Sequence, residues 1–173
     1  MIKKNYWTTL TLFLFLVFLK NGNAGFLESE SDYYQKDPVV GHIHKAYAMR
    51  EYEWPESVNK KITLKTNNMG FRKDTDTTRD KAKDVVRILV AGDSQTDGVV
   101  NNNESFPNLL EAMLNSKVKG VKFEVINGGC GYYGFDHYRL FLEKYKFLKP
   151  DVYIVVVYIG NDFLYAARVL KAG

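Results

Sequence analysis

Three short segments carry the residue types that acyl chemistry needs. The first is Gly92-Asp93-Ser94-Gln95-Thr96-Asp97-Gly98. Gly92 permits a sharp turn, Ser94 places a hydroxyl just past it as a candidate nucleophile, and the Ser94 N–H can face an oxyanion. The second is Asn127-Gly128-Gly129-Cys130-Gly131-Tyr132-Tyr133-Gly134, whose four glycines allow close backbone approach. A backbone N–H from this loop can complete an oxyanion hole. The third is Tyr158-Ile159-Gly160-Asn161-Asp162-Phe163, in which the Asn161 side chain can aim an N–H at developing negative charge. Taken singly, each has a plainer reading: a Ser/Asp cap before a helix, a flexible glycine loop, and a turn with local Asn and Asp caps.

What raises the three segments together is the elements that must position them. Val86–Ala91 is a nearly continuous apolar run, as a buried parallel strand requires. Ser105-Phe106-Pro107 opens a helix, with Ser105 as N-cap, Pro107 in the first turn, and Phe106, Leu109, Leu110, Met113 and Leu114 on one face. Lys122–Ile126 reads as a second strand. Phe135–Leu148 carries Phe135, Tyr138, Leu142 and Tyr145 at helical spacing and stops at Pro150. Asp151–Tyr158 is a third apolar strand, and Asp162–Leu170 begins another helical pattern. Alternating strands and helices imply a parallel sheet with helices on its faces, and such sheets bind ligands beyond the carboxyl ends of their strands. All three polar loops emerge there.

In this order and spacing, GDSQTDG, NGGCGYYG and GND resemble the first three sequence blocks of the SGNH (GDSL-like) hydrolases. Asn67-Asn68-Met69-Gly70-Phe71-Arg72 is similar to the N-x-x-G-[FL]-R segment that precedes the serine block in many bacterial members. The resemblance spans about residues 65–165. It implies a flavodoxin-like three-layer α/β/α fold and ester hydrolysis or acyl transfer through an acyl-enzyme. It also implies Ser94 as nucleophile, oxyanion donors from the Ser94 N–H, a second-block backbone N–H and Asn161, and no metal or organic cofactor. The family glycine of the second block falls on Tyr132 here, so the second donor is assigned to Gly131, with Tyr132 as the alternative.

The family's base comes from a final Asp-x-x-His block. The chain has three histidines, His42, His44 and His137, and none has an aspartate three residues before it. The expectation is therefore an N-terminal portion of a hydrolase whose Asp-x-x-His follows in a longer frame, with little activity in residues 1–173, since serine without a base is a poor nucleophile. His137 reads as helix-start polarity, and His42 and His44 as exposed loop histidines. A non-catalytic remnant and a phosphate- or flavin-binding module of the same fold are the competing readings.

Residues 1–24 have a secretory signal layout: Lys3 and Lys4, the apolar Leu10–Leu19, then small residues before a cut after Ala24. This predicts a secreted or periplasmic protein, with an uncleaved anchor as the alternative route to a membrane. Residues 25–85 read as an N-terminal extension and linker, in which Lys61–Lys65 alternates like a strand, Asn67–Gly70 signals a turn, and Asp74–Asp84 is a charged, exposed stretch. Residues 86–173 read as the partial hydrolase domain. Without Lys3, Lys4 and Lys20 the formal charge of +4 falls to +1, which gives no electrostatic case for nucleic acid. A single cysteine excludes an internal disulfide and zinc-finger or CxxC chemistry. The expected substrate is a small-molecule, glycan or lipid ester. Tyr132-Tyr133 reads either as a platform for a sugar ring or as a packed lid.

Overall fold

The computed structural model describes residues 32–163. The signal-segment reading of residues 1–24, and the helical pattern beyond Phe163, lie outside the described residues. No described helix is long and apolar enough to cross a membrane.

Three parallel strands form the centre: β5 (Val85–Ala91), β6 (Lys122–Asn127) and β7 (Val152–Val155), in the spatial order β6-β5-β7. β5 pairs with β6 from Val85↔Lys122 to Val90↔Asn127, and with β7 from Ile88↔Val152 to Ala91↔Val155. The chain is thus of the α/β class. β7 is shorter than the apolar run that announced it, although Val156 N–H still donates to Ala91 O at 2.8 Å.

Helix α2 (Phe106–Lys117) covers one face of the sheet. Phe106, Leu110 and Leu114 pack on Ile88, Val90, Val125, Ile154 and Val156. Leu109 and Met113, expected on the same face, are 51% and 48% exposed. They sit beside the i, i+4, i+8 row that meets the sheet, so the buried stripe is narrower than the apolar one. Ser105 precedes α2 but makes no side-chain cap. Its hydroxyl donates instead to Asn102 O and accepts from Asn108 Nδ2. Helix α3 (Phe135–Tyr145), continued by a 3-10 turn at Lys146–Leu148, covers the other face. There Tyr138, Phe141, Tyr145 and Leu148 pack on Leu89, Ala91 and Ile126.

Upstream of the sheet, β1 (Tyr34–Asp37) pairs with β2 (Gly41–His44), and β3 (Met49–Glu53) with β4 (Lys61–Lys65), as antiparallel hairpins. The alternation at Lys61–Lys65 marked β4; β1–β3 carried no clear period. This stretch belongs to the core, because Val40 and Phe71 join the α3-side cluster. The reading of Asp74–Asp84 as exposed is corrected at Thr77, which is 1% exposed and accepts a hydrogen bond from Asn67 Nδ2. At the amino end of the sheet, buried Arg87 donates to Glu124, Leu148 O and Thr78 O, tying that stretch to β5 and to the end of α3.

Candidate active site

The chain leaves β5 at Ala91 and folds back within one turn. A Cβ on Gly92 would overlap the Thr96 side chain, so this return needs glycine. Asp93, extended at φ −85° and ψ −153°, caps the single-turn helix α1 (Ser94–Asp97), and its carboxyl accepts the Gln95 N–H at 2.9 Å. The cap therefore uses Gln95 and not the Ser94 N–H. Ser94 is exposed, and no described residue hydrogen-bonds its hydroxyl.

The second loop is pressed against the first. Gly128 N–H donates to Val90 O at 2.8 Å, Cys130 N–H to Gly92 O at 3.1 Å, and Gly129 N–H to Asn127 Oδ1 at 3.0 Å. A Cβ on Gly129 would overlap the backbone of Thr96 and Asp97, and one on Gly128 would overlap Phe141 and Val90 O. These two glycines serve close approach, which rules out the flexible-loop reading for this part. Gly131 is buried and turned towards β2, its carbonyl oxygen 2.7 Å from His42 Nε2. Tyr132, the position of the family glycine, sits at φ 66°, a left-handed conformation that glycine adopts most easily. Of the tyrosine pair, Tyr133 is packed: its hydroxyl donates to His42 O at 2.7 Å and its ring stacks on His137. Tyr132 is 48% exposed.

The third loop brings Asn161 to the first. Its carboxamide lies against the Asp93 carboxyl, next to Ser94. Asp162 is buried and fixed: its Oδ2 accepts the Tyr138 O–H at 2.7 Å and the Tyr158 N–H at 3.0 Å. Loops one and three thus meet at Asp93–Asn161. Loops one and two meet at Gly129–Asp97, while Gly131 itself contacts the β1–β2 hairpin through His42 and Tyr34.

The electrostatics differ sharply across one turn. Burial pushes Asp93 up to about 6, aided by the Asp162 charge and opposed by the Gln95 N–H and the Asn161 side chain. Burial also raises Asp162, against its two hydrogen bonds. For Asp97, burial works upward, but contacts from His44 and Arg72 outweigh it and hold the carboxyl below its usual range. Burial, with the Asp97 charge, drives the Cys130 thiol well up, so Cys130 is not a thiolate nucleophile.

Arg72 is the residue sequence reasoning passed over. Fully buried, it donates from Nε to Asn102 Oδ1 at 2.9 Å, from Nη1 to Asp97 Oδ1 and Asp97 O at 2.8 Å, and from Nη2 to Val100 O at 2.8 Å. Asp97 Oδ2 is 3.2 Å from His44 Nε2. The available signal was the Asn67–Arg72 segment: Asn67 Oδ1 accepts from Met69 and Phe71 N–H and sets the turn that delivers Arg72 beneath the serine loop.

The histidine expectations need correction. His42 and His44 lie on β2, not in an exposed loop, and His44 is 4% exposed because it pairs with the buried Asp97. His137 does serve the helix start, its Nδ1 accepting the Gly134 N–H at 3.2 Å. Each histidine is thus engaged by a group other than Ser94: His42 by Gly131 O, His44 by Asp97 and His137 by the Gly134 N–H. Among the described residues no group of three His, Cys, Asp or Glu could hold a metal ion. Comparison with protein-family models, with curated proteins and with solved structures returned no match for this chain.

Proposed function

We propose that the protein is a serine ester hydrolase of the SGNH/GDSL type, exported to the periplasm or beyond. The observation that carries this reading is the meeting of the first and third loops: an exposed Ser94 follows the Asp93 against which Asn161 rests. The β6-β5-β7 order also suits the proposed flavodoxin-like sheet, whose ligand crevice opens where successive crossovers run to opposite sides.

In the proposed reaction Ser94 Oγ attacks the acyl carbon, and its proton passes to a base. The Ser94 N–H, Asn161 Nδ2 and an N–H of Gly131 or Tyr132 hold the oxyanion. The intermediate collapses to a Ser94 ester with loss of the alcohol, and water then releases the acid. Since His42, His44 and His137 are held by other groups, the base is assigned to a residue outside 32–163. Exposed Tyr132, Phe135, Ile159 and Phe163 give loops two and three an apolar rim, and the Phe135 and Phe163 rings meet edge-on at 5.4 Å. This favours an ester with an apolar or ring-bearing group.

The test is turnover of a p-nitrophenyl ester, with and without added imidazole as an external base. Wild type is expected to be slow alone and faster with imidazole, beyond the increase seen with Ser94→Ala. Identical rates for the two proteins under both conditions would count against the proposal.

A further inference from the structure

Residues 130–133 make a turn whose shape does not suit its sequence. Tyr133 N–H donates to Cys130 O at 3.3 Å, Gly131 keeps a negative φ, and Tyr132 sits at φ 66°. A positive φ at the third position alone marks a type II turn, which favours glycine there. A type I turn closes the same hydrogen bond with a negative φ that tyrosine adopts freely. The two differ by a half-turn of one unit, the Gly131–Tyr132 peptide. A group outside the turn must therefore hold that peptide in its costlier orientation. His42 on β2 is placed to do so, with Nε2 at 2.7 Å from Gly131 O. A carbonyl oxygen only accepts, so Nε2 carries the hydrogen whether or not Nδ1 is also protonated. The ring is fixed in turn: it meets Tyr133 edge-on at 5.2 Å and His137 at 6.0 Å, and the main-chain oxygen of His42 accepts the Tyr133 O–H at 2.7 Å. Residue 42 thus grips the turn at its second residue by side chain and at its fourth by main chain. In the type I form Gly131 O would swing away and leave the Nε2–H without that acceptor.

We propose that His42 is a positioning residue for the second loop: its Nε2–H holds the Gly131–Tyr132 peptide in the type II orientation and so sets the direction of the Tyr132 N–H. The peptide is planar and trans, so its C=O and N–H point opposite ways. With the carbonyl turned to the β1–β2 hairpin, the Tyr132 N–H leaves on the side away from it. The bearing on catalysis rests on the function proposed above. Of the two second-loop donors, the flip reverses only the Tyr132 N–H, because the Gly131 N–H belongs to the preceding peptide. His42 thereby selects Tyr132 as the oxyanion donor and keeps it aimed, without touching the substrate.

The full chain, labelled with nitrogen-15 and carbon-13, is studied by NMR without substrate. Wild type is expected to show a strong NOE from Gly131 Hα to the Tyr132 amide, a strong NOE between that amide and its own Hα, and a hydrogen on His42 Nε2. In His42→Phe, which keeps a ring beside Tyr133 but no donor, both NOEs are expected to weaken to type I levels. His42→Gln, whose amide can donate from a similar position, is expected to keep them. Adding Tyr132→Gly to His42→Phe is expected to restore the NOE from Gly131 Hα to the residue-132 amide, because glycine removes the backbone cost that the hydrogen bond offsets. A merely structural role for His42 would not be relieved at position 132. Three results would overturn the proposal: a wild-type His42 with its hydrogen on Nδ1 and none on Nε2, unchanged NOEs in His42→Phe, or a loss that neither His42→Gln nor Tyr132→Gly relieves. Where His42→Phe does not fold, the wild-type tautomer and NOE pattern decide. No turnover is read, so an inactive protein leaves this test intact, and a failed test leaves the role of Ser94 standing.

Discussion

Asp93 caps the start of the serine turn and Arg72 binds its end, and the two hold it in different ways. Arg72 is a buried cation whose planar fork reaches the Asp97 carboxylate and three backbone carbonyls, those of Asp97, Gly98 and Val100. Removing it leaves Asp97 buried with only His44 and Tyr34 nearby. Arg72→Met is expected to cost about 3–5 kcal/mol in urea unfolding, and Arg72→Lys to recover little, since an ammonium cannot span the same acceptors. A loss below about 1 kcal/mol would show that Arg72 behaves like a surface ion pair. Asp93 acts through its proton. Its carboxyl is raised from 3.8 to about 6, so its contribution to stability is full below about pH 4 and is lost as pH rises through 6. Asp97 has the opposite sign, contributing above its ordinary range and losing that as pH falls. Asp93→Asn is therefore expected to match wild type near pH 4 and to exceed it at pH 8 by up to about 3 kcal/mol. Equal stability at both values would contradict the buried-carboxyl account. Ser94, Asn161 and the glycine loops were legible in the sequence as residue types. Arg72 was not, because nothing local distinguishes a buried arginine from an exposed one; its partners are 25 to 30 positions away.

The glycines of the second loop are where element and site meet. Gly129 admits the backbone of Asp97, so β6 delivers its loop directly beneath α1. Gly129→Ala is expected to destabilise by about 1–3 kcal/mol and to shift the amide NMR signals of Thr96 and Asp97. Unchanged signals there would show that the two loops do not touch. β5, β6, β7, α2 and α3 were readable because each is an apolar run or a helical stripe buried against one sheet. β1, β2 and β3 were not. Met49–Glu53 alternates only between exposed and half-buried residues, and β2 carries two histidines that burial turns from apparent loop polarity into packing and hydrogen-bonding groups. Periodicity registers burial, and short two-stranded ribbons bury too little to show it.

On the scale of the whole molecule, the hairpins and the Asn67–Arg72 turn are part of the body that holds the serine loop. Val40 and Phe71 complete the α3-side core, and His44, Tyr34 and Arg72 surround Asp97. A chain beginning at Val85 is therefore expected to lose cooperative unfolding and to bind a hydrophobic dye, whereas a chain beginning at Asp32 keeps its transition. A cooperative Val85 chain would support the reading of the upstream stretch as an extension. The central claim is that this body presents Ser94 as an acyl-accepting nucleophile. It is tested most directly by treating the full chain with a fluorophosphonate, which reacts with a nucleophilic serine irreversibly and so accumulates even where turnover is slow. Peptide mass mapping should place one adduct on Ser94, absent in Ser94→Ala and reduced in Arg72→Met. An adduct elsewhere, or none after prolonged exposure with imidazole present, would contradict the account.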